Sequence, residues 1–413
     1  MLPGPLALLE DGRYLRLWSA GLLLGTTRWL EILGIALWAL AETDSALVVA
    51  LMLFARTLPM VLLGVPMGAL ADRLNRRKLL ATGVGCALLS STILLTLALK
   101  DVLMVWVVAA GAFVSGIVWT MEHPVRRALI ADVVGVGRIG VALSLDSATF
   151  NATRMIGPLA GGTVYAALAL EGVYGASLVM SLLVVAALLT LRVSVSNERD
   201  DRKEPFLASL TGGIAEVRAD PILTAVMVTT IAANLFGFSY ASMVPVVGER
   251  VLGLDAVMVG VLMSMEGLGA FSGALALAFF IRAPLYGKVF LAGALLFLSM
   301  ILTFSFSVYL AASMVALFLA GVGIAGFGSM QSTILISKAA PAARSRVMGV
   351  LVLCIGAGPP GILLVGGIGN VVGATTALAI TAGTGTACIA LAALRWPALW
   401  RSPEGSAHGR GGT

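Results

Sequence analysis

The sequence predicts an all-α membrane protein with twelve transmembrane helices in two pseudo-symmetric six-helix bundles. Composition is the first indication: of 413 residues, 59% are hydrophobic and only 12% are charged, whereas soluble proteins carry about 25% charged residues. Apolar segments of about 20 residues, the length that a membrane-spanning helix needs, are the second. Disorder would require low hydropathy, and a β-barrel would show alternating segments of about 10 residues. Both alternatives are therefore excluded.

Twelve apolar segments are long enough to cross a membrane, and their hydropathy sets their approximate limits. The expected spans are 17–41, 47–71, 79–99, 102–121, 140–168, 174–192, 221–247, 256–281, 287–306, 309–335, 347–369 and 372–394.

A polar stretch near the middle of the chain separates the first six spans from the last six. It begins with a charge run over 197–204, and an amphipathic segment follows in which Phe206, Leu207, Leu210, Ile214 and Val217 share one helical face. The expected parts are an N-terminal bundle (1–192), a cytoplasmic linker with an interfacial helix (193–220), a C-terminal bundle (221–394) and a cytoplasmic tail (395–413).

The basic residues are distributed unevenly between the loops. With twelve spans, 22 of the 27 basic residues fall in the termini and loops of one side, and the loops of the other side hold only Lys100 and Arg250. By the positive-inside rule the richer side is cytoplasmic. We expect a multi-pass protein of the bacterial inner membrane with both termini in the cytoplasm. The net charge of +6 then reflects contact with anionic membrane lipids and not binding of nucleic acid.

Cysteine and histidine usage argues against metal chemistry. Cys86, Cys354 and Cys388 each lie alone in an apolar run, and the histidines are His123 and His408, so no zinc-ligand spacing is present. The chain also has no His-Glu-x-x-His, no Gly-x-Ser-x-Gly and no phosphate-binding Gly-x-x-x-x-Gly-Lys-Ser/Thr. We expect no metal, no cofactor and no enzymatic activity.

Six ionisable residues lie inside the predicted spans. Because a charge at the bilayer centre costs about 3 kcal/mol on insertion scales, we expect the three cations and three anions to neutralise one another around a central polar cavity. They are Arg28, Glu31, Arg56, Asp146, Arg154 and Glu266.

Three embedded carboxylates, those of Glu31, Asp146 and Glu266, are candidates for proton coupling, since a buried acid can take up and release a proton. The other interpretation is structural: embedded ion pairs, or a protonated acid that is hydrogen-bonded to another helix, can join helices. For Arg56 a structural ion pair and a part in a gate both remain open.

Polar residues near these carboxylates are candidates for substrate binding. Asp146, Asn151 and Arg154 follow one helical stripe of the fifth span, and the seventh span adds Asn234 and Tyr240. The arginines either hold the carboxylates or bind an anionic group of a substrate. The substrate-binding candidates are Arg28, Asn151, Arg154, Asn234 and Tyr240.

The inner end of the second span reads Gly68-Ala-Leu-Ala-Asp-Arg-Leu-Asn-Arg-Arg-Lys78. It resembles the signature loop between helices 2 and 3 of the major facilitator superfamily. Asn75 stands where that family usually has glycine, and asparagine tolerates a left-handed turn. The matching positions are Gly68, Leu70, Asp72, Arg73, Arg76 and Arg77.

The resemblance implies a conformational latch at this loop. Asp72 is expected to face the positive N-terminal end of the eleventh span. One of the loop arginines is expected to pair with an acid near the inner end of the fourth span, for which Glu122 is the candidate.

A second match lies in the fifth span, where Gly157, Pro158, Gly161 and Gly162 resemble the Gly-Pro-x-x-Gly-Gly antiporter motif of the same superfamily. A further glycine of that motif is Thr153 here, so the match is partial. Segments around Arg126 and Arg346 resemble the branch that includes the enterobactin exporter and related small-molecule efflux proteins.

The resemblance implies a secondary transporter that exports a small organic molecule in exchange for protons, by alternating access. A proton symporter or a facilitative uptake carrier is the alternative, because nothing in the residues fixes direction. A non-transporting membrane sensor or scaffold is the alternative from another class. The expected partners are a small-molecule substrate, protons and membrane lipids, and the expected oligomeric state is a monomer.

Overall fold

A computed structural model of the chain is helical along almost its whole length. It describes residues 8–135, 137–191 and 206–400, with side chains for all of these except 65–66, 68–73, 206–209 and 342. Within this described part, eleven helices are long and apolar enough to cross a membrane. The longest, Ile139–Thr190, has 52 residues and is broken at Leu168 and Ala169, so it supplies two spans. The predicted all-α fold with twelve spans is confirmed.

The helices are numbered here in chain order. Those before the central polar stretch are α1 (Gly12–Thr43), α2 (Ala46–Arg73), α3 (Arg76–Ala98), α4 (Val105–Val134) and α5 (Ile139–Thr190). Those after it are α6 (Phe206–Ala219), α7 (Pro221–Ala232), α8 (Val244–Arg250), α9 (Ala256–Phe280), α10 (Tyr286–Ser305), α11 (Leu310–Lys338), α12 (Arg344–Ile355), α13 (Gly358–Val372) and α14 (Ala374–Arg395). A π-helical turn (Ala233–Gly237) and a 3₁₀ turn (Phe238–Ser242) separate α7 from α8.

Polar residues fix the starts of several helices. The Asp11 carboxylate accepts a hydrogen bond from the Arg13 backbone N–H at the start of α1 (3.0 Å). Asp220 accepts one from the Ile222 N–H at the start of α7 (2.6 Å), where Pro221 occupies the first turn. A cap of this kind satisfies backbone donors that have no partner inside the helix. These residues therefore mark where the chain leaves the loops and enters the spans.

The helices form two compact units. One comprises Met1–Arg202, Ala241–Leu268 and Ile362–Ala374, and the other comprises Lys203–Tyr240, Gly269–Gly361 and Thr375–Thr413. In the first unit α1 packs along α5 and α2 along α4, and in the second α10 packs along α11. The units do not follow the expected boundary at the linker, because parts of α9 and α13 pack with the first unit. The division into bundles at 1–192 and 221–394 remains a proposal.

The α10–α11 contact in the second unit depends on glycines. A Cβ on Gly293 would lie 2.7 Å from the Gly323 carbonyl oxygen, and one on Gly323 would lie 2.6 Å from the Phe297 nitrogen. In lipid, helices associate through close packing rather than through the hydrophobic effect. These two glycines let the α10 and α11 backbones approach closely, and the resulting van der Waals contacts stabilise the helix pair.

The amphipathic helix expected in the linker is α6. Its Val217 side chain is buried, and a Cβ on Gly213 would lie 2.6 Å from the Arg346 carbonyl oxygen of α12. One face of α6 therefore packs against protein within the second unit. The preceding part of the linker, 192–205, and the tail from residue 401 lie outside the described residues.

The break in α5 carries a strained backbone. Ala169 has φ 48° and ψ −149°, a region that glycine adopts readily and other residues do not. We expect Ala169→Gly to raise the free energy of unfolding by about 1 kcal/mol, measured by thermal unfolding of purified protein in detergent. Ala167→Gly, at an exposed helical position two residues earlier, is the matched control and should lower stability. Equal loss in both variants would contradict strain at the break.

Candidate functional site

Buried charges concentrate in the first unit. Among the described residues, seven acidic or basic side chains (Asp, Glu, Arg) in transmembrane helices are at most 8% exposed. Each needs a partner, since an unpaired charge in the membrane is costly. They are Arg28, Glu31, Arg56, Glu122, Arg126, Asp146 and Glu266.

Glu31 of α1 joins three helices. One of its oxygens, Oε2, accepts hydrogen bonds from Arg56 Nη1 of α2 at 2.8 Å and from the Ser115 hydroxyl of α4 at 3.2 Å. Arg56 therefore forms a buried ion pair, as the structural interpretation of this residue required. A part for Arg56 in a gate remains a proposal.

Arg28, one helical turn from Glu31, contacts a different acid. Its Nη2 lies 3.4 Å from Glu122 Oε2 of α4. Its guanidinium also lies over the Trp119 ring at 4.7 Å and over the Phe150 ring at 5.5 Å. Its other terminal nitrogen, Nη1, is buried and has no hydrogen-bond partner among the described residues. Arg28 is thus held by one long ion pair and two aromatic faces.

Arg126 connects α4 to α5. Its Nε donates to the Glu122 carboxylate one turn earlier, and its Nη1 donates to the Asp146 carboxylate. Arg127 adds a contact of 3.5 Å to the second oxygen of Asp146, although its own side chain is 40% exposed. Two buried carboxylates thus depend on one guanidinium for most of their compensation.

Four of these charges, those of Arg28, Glu31, Arg56 and Glu122, line a small cavity of about 40 Å³ within the first unit. Its lining combines charged, hydroxyl and aromatic groups, so it offers hydrogen-bond partners to a small polar group. The polar and aromatic lining residues are Thr27, Arg28, Glu31, Arg56, Ser115, Trp119, Glu122 and Ser181. Arg154 and Glu266 are not among its lining residues.

Glu266 of α9 pairs with Arg154 of α5. Arg154 Nη2 donates to Glu266 Oε1, and the guanidinium lies over the Trp29 ring at 5.5 Å. Pro158 has no N–H, so it cannot make the usual helical hydrogen bond to the Arg154 carbonyl. At that carbonyl α9 approaches closely: a Cβ on Gly267 would lie 2.7 Å from the Arg154 oxygen. The pair therefore sits where two helices nearly touch.

The glycines of the antiporter-like motif explain that approach. A Cβ on Gly161 would lie 2.9 Å from the backbone of Leu30 in α1, and one on Gly162 would collide with the Ala256 carbonyl of α9. A Cβ on Gly157 would likewise collide with Trp29. The motif thus brings α5 against α1 on one side and α9 on the other. Its role in exchange remains a proposal.

The neutral candidates bond within their own helices. The Asn151 amide donates to the Ser147 carbonyl at 3.1 Å, and the Asn234 amide donates to the Thr230 carbonyl at 2.9 Å. Asn234 lies on the π-helical turn of the second unit, a kind of turn found frequently at functional sites. Tyr240 is buried and contacts the Phe297 ring edge-on at 5.8 Å. Substrate binding by these residues remains a proposal.

The loop between α2 and α3 differs in part from its expected contacts. Asn75 has φ −64° and ψ 110°, and its side chain accepts from the Lys78 N–H at 3.1 Å. It therefore caps α3 instead of adopting a left-handed turn. Arg77 donates to the Leu188 and Leu189 carbonyls at the end of α5, at 2.8 and 2.6 Å. The side chains of Gly68, Asp72 and Arg73 lie outside those that the structure describes, so these three positions remain proposals.

The expectation that Glu122 pairs with a loop arginine is wrong for the described side chains. Arg76 Nη1 contacts both oxygens of Asp132, at 2.9 and 2.8 Å, and Glu122 pairs with Arg28 and Arg126. The reason is the length of α4, which continues to Val134 and not to the expected 121. Ten residues of helix span about 15 Å, so Asp132 reaches the loop and Glu122 stays inside.

A double-mutant cycle tests the Arg76–Asp132 contact. Arg76→Gln and Asp132→Asn are each expected to destabilise the protein, with a coupling energy of about 0.5–3 kcal/mol, because one guanidinium nitrogen contacts both carboxylate oxygens and the pair is largely buried. The measurement is thermal unfolding in detergent. The exposed Arg13–Asp11 pair is the control and should show a smaller coupling. Additive effects of the two substitutions would show that the Arg76 and Asp132 side chains do not stabilise one another.

The sequence prediction ended the fourth span at 121, so it did not include Glu122 and Arg126 among the embedded charges. It assigned Arg126 to a cytoplasmic loop. Their spacing of four residues, which places them on one helical face, is the signal that could have identified them. In the structure α4 continues through His123 and Pro124, which lie between them.

The fold is that of known transporters. A bacterial homologue of the human lysosomal transporter Spinster superposes with a TM-score of 0.70, with 16% identity over 96% of this chain and 100% of that one. The nucleoside transporter NupG superposes with a TM-score of 0.72, with 11% identity over 94% of this chain and 99% of that one. The chain therefore shares the fold of these transporters.

The chain belongs to the family described as Transmembrane secretion effector, whose model matches residues 3–404, and is thereby a member of the major facilitator superfamily of membrane transporters. A curated relative, the Staphyloferrin A transporter of Staphylococcus aureus (strain NCTC 8325 / PS 47), is 24% identical over 252 residues. The match covers 61% of this chain and 63% of that relative, which is less than two thirds of the relative's length.

Proposed function

We propose that this transporter exports a small organic compound in exchange for protons, by alternating access. Membership of a family described as secretion effectors supports export. Four carboxylates buried in transmembrane helices, of Glu31, Glu122, Asp146 and Glu266, support proton coupling, because a proton gradient can act only on groups that titrate inside the transport path. Their arginine partners keep the charged state tolerable between proton transfers.

The Arg154–Glu266 pair is the observation that carries the proposal. A proton on Glu266 removes the charge that Arg154 compensates, so protonation and the ion pair exclude one another. The pair sits on the close α5–α9 contact that the Gly157–Gly162 motif creates, so loss of the pair changes how firmly these helices are held. A proton can thereby bias one conformation over another, as coupling requires. Arg154 is the described charged side chain that faces Glu266.

Glu31 and Asp146 are the other proton carriers that we propose. Protonation of Glu31 would release Arg56 and so loosen α1 from α2. Protonation of Asp146 would release Arg126 and Arg127 and loosen α4 from α5. The Arg76 and Arg77 contacts, together with Gly68, Asp72 and Arg73, serve in this scheme as the latch that holds one conformation.

The same proposal places the chain in a bacterial inner membrane, with its termini in the cytoplasm, as a monomer in contact with lipid. The unequal distribution of basic residues supports this orientation. Large apolar side chains on the outside of the spans, such as Leu183, Phe280 and Leu394 (54–79% exposed), support lipid contact.

Transport in inside-out membrane vesicles tests function and direction together, and staphyloferrin A is the first compound to try, because a relative carries its name. We expect the compound to accumulate when the vesicle interior is acid, since outward proton flow then drives inward exchange. Accumulation with an acid exterior would instead demonstrate proton symport and therefore uptake. Entry of the compound that is the same under both gradients, and that stops when its concentrations inside and outside are equal, would indicate facilitated diffusion. Either result would overturn proton-driven export.

A further inference from the structure

We propose that the cavity of the first unit binds a carboxylate group through Arg28, so that the transported compound is an organic anion; this rests on the proposed function and specifies its substrate class. The cavity lies among the first five helices, α1 to α5, and its volume of about 40 Å³ is on the scale of a carboxylate group rather than of a whole organic molecule. Arg28 and Glu122 line it, and Trp119 forms part of its wall.

Arg28 has hydrogen-bonding capacity that the protein does not use. A guanidinium carries five N–H donors and cannot be deprotonated in ordinary conditions. Arg56 and Arg126 donate to carboxylates at hydrogen-bond distance. Arg28 instead makes one ion-pair contact of 3.4 Å, and its buried Nη1 has no partner among the described residues. A buried donor without an acceptor is unfavourable, so a ligand oxygen at Nη1 would complete the site.

The charges that line the cavity limit which anion could bind there. Arg28 and Arg56 line it together with Glu31 and Glu122, and Glu31 already compensates Arg56. These two acids would repel a doubly charged phosphate more strongly than a carboxylate with a single negative charge.

The walls fit the organic part of such a ligand. The Trp119 and Phe150 rings lie over the guanidinium, so its edge is the direction left for a planar carboxylate, which pairs edge to edge with arginine. Leu24, Ala87 and Val118 add apolar surface for a hydrocarbon body. An anion also leaves a cell with a negative interior in the direction that the membrane potential favours, which agrees with export.

Ligand-induced stabilisation of the purified full chain in detergent tests the site. The probes are acetate, succinate and benzoate, each compared with its uncharged amide, and the readout is the midpoint of thermal unfolding. We expect at least one carboxylate to raise the midpoint and its amide to leave it unchanged. Arg28→Gln should weaken that carboxylate's affinity tenfold or more. Arg28→Lys should weaken it less, because lysine keeps the positive charge but lacks the planar pair of N–H donors of a guanidinium. Arg282→Gln, which removes an exposed guanidinium, should bind like the wild type.

Glu122→Gln provides a test that does not depend on the folding of an Arg28 variant. Glu122 competes with a ligand for Arg28, so its neutralisation should tighten carboxylate binding. The site would be overturned if no carboxylate stabilised the wild type, if the amides did so equally, or if binding were the same in Arg28→Gln and looser in Glu122→Gln. Carboxylate binding without pH-driven transport would refute the proposed function alone. Proton-driven export of an uncharged compound, without carboxylate binding, would refute this site alone.

Discussion

Replacement of Arg126 by glutamine is expected to lower the free energy of unfolding by about 3–5 kcal/mol, because it leaves buried carboxylates without compensation. Arg126 donates to both Glu122 and Asp146, and each of these acids is at most 3% exposed. Arg28 contacts Glu122 only at 3.4 Å, so it cannot take over the role. The measurement is the thermal or denaturant-induced unfolding of purified protein, together with the amount of folded protein in the membrane.

Arg127→Gln is the matched control for this prediction. It removes the neighbouring guanidinium, which is 40% exposed and makes a single contact of 3.5 Å to Asp146, so we expect a much smaller loss. Neutralising both acids together with Arg126 (Glu122→Gln, Asp146→Asn, Arg126→Gln) should recover part of the stability, since no unpaired charge is then buried. Equal stability of Arg126→Gln and Arg127→Gln would show that Arg126 does not hold the network.

Glu266→Gln is expected to abolish pH-gradient-driven transport, by a factor of ten or more, and to leave the fold intact. Glutamine keeps the size and a hydrogen-bond acceptor for Arg154, but it cannot exchange a proton. The measurement is accumulation of the transported compound in inside-out vesicles under an imposed gradient. Downhill movement of the compound without a gradient should persist, because binding does not need the proton.

Glu249→Gln controls for the loss of a carboxylate as such. Glu249 is exposed at the end of α8, and its neutralisation should leave transport unchanged. Arg154→Gln should lower stability, because it leaves Glu266 buried without its cation, and adding Glu266→Gln should restore it. Full coupled transport by Glu266→Gln would assign the proton to Glu31 or Asp146, which can then be tested in the same assay.

The spans could be predicted from sequence because hydropathy along the chain directly reflects contact with lipid. Helices α9 (Ala256–Phe280) and α10 (Tyr286–Ser305) agree with the expected spans to within a residue. The prediction was wrong in length for the fourth span, where polar residues suggested a loop. There Glu122 and Arg126 form ion pairs with residues of other helices, and these pairs make their burial tolerable. Hydropathy alone contains no information about such ion-pair partners.

The identities of the ion pairs could not be predicted, because they depend on how each helix is rotated and packed. Arg28 and Glu31 lie close in sequence, yet Glu31 pairs with Arg56 and Arg28 with Glu122. The partner of Glu266 lies 112 residues away, and the contact exists because glycines bring α5 and α9 together. Five of the seven buried charges were thus accessible from the sequence, whereas Glu122, Arg126 and the network that joins them were not.

Infrared difference spectroscopy of the purified protein during a pH step tests most directly whether Glu266 is the proton carrier. Lowering the pH is expected to produce C=O stretching bands of protonated carboxylic acids in the wild type and in Glu249→Gln, and one component of these bands should be missing in Glu266→Gln. Unchanged bands in Glu266→Gln would contradict the account, because the proton would then reside on another group and the Arg154–Glu266 pair would be purely structural.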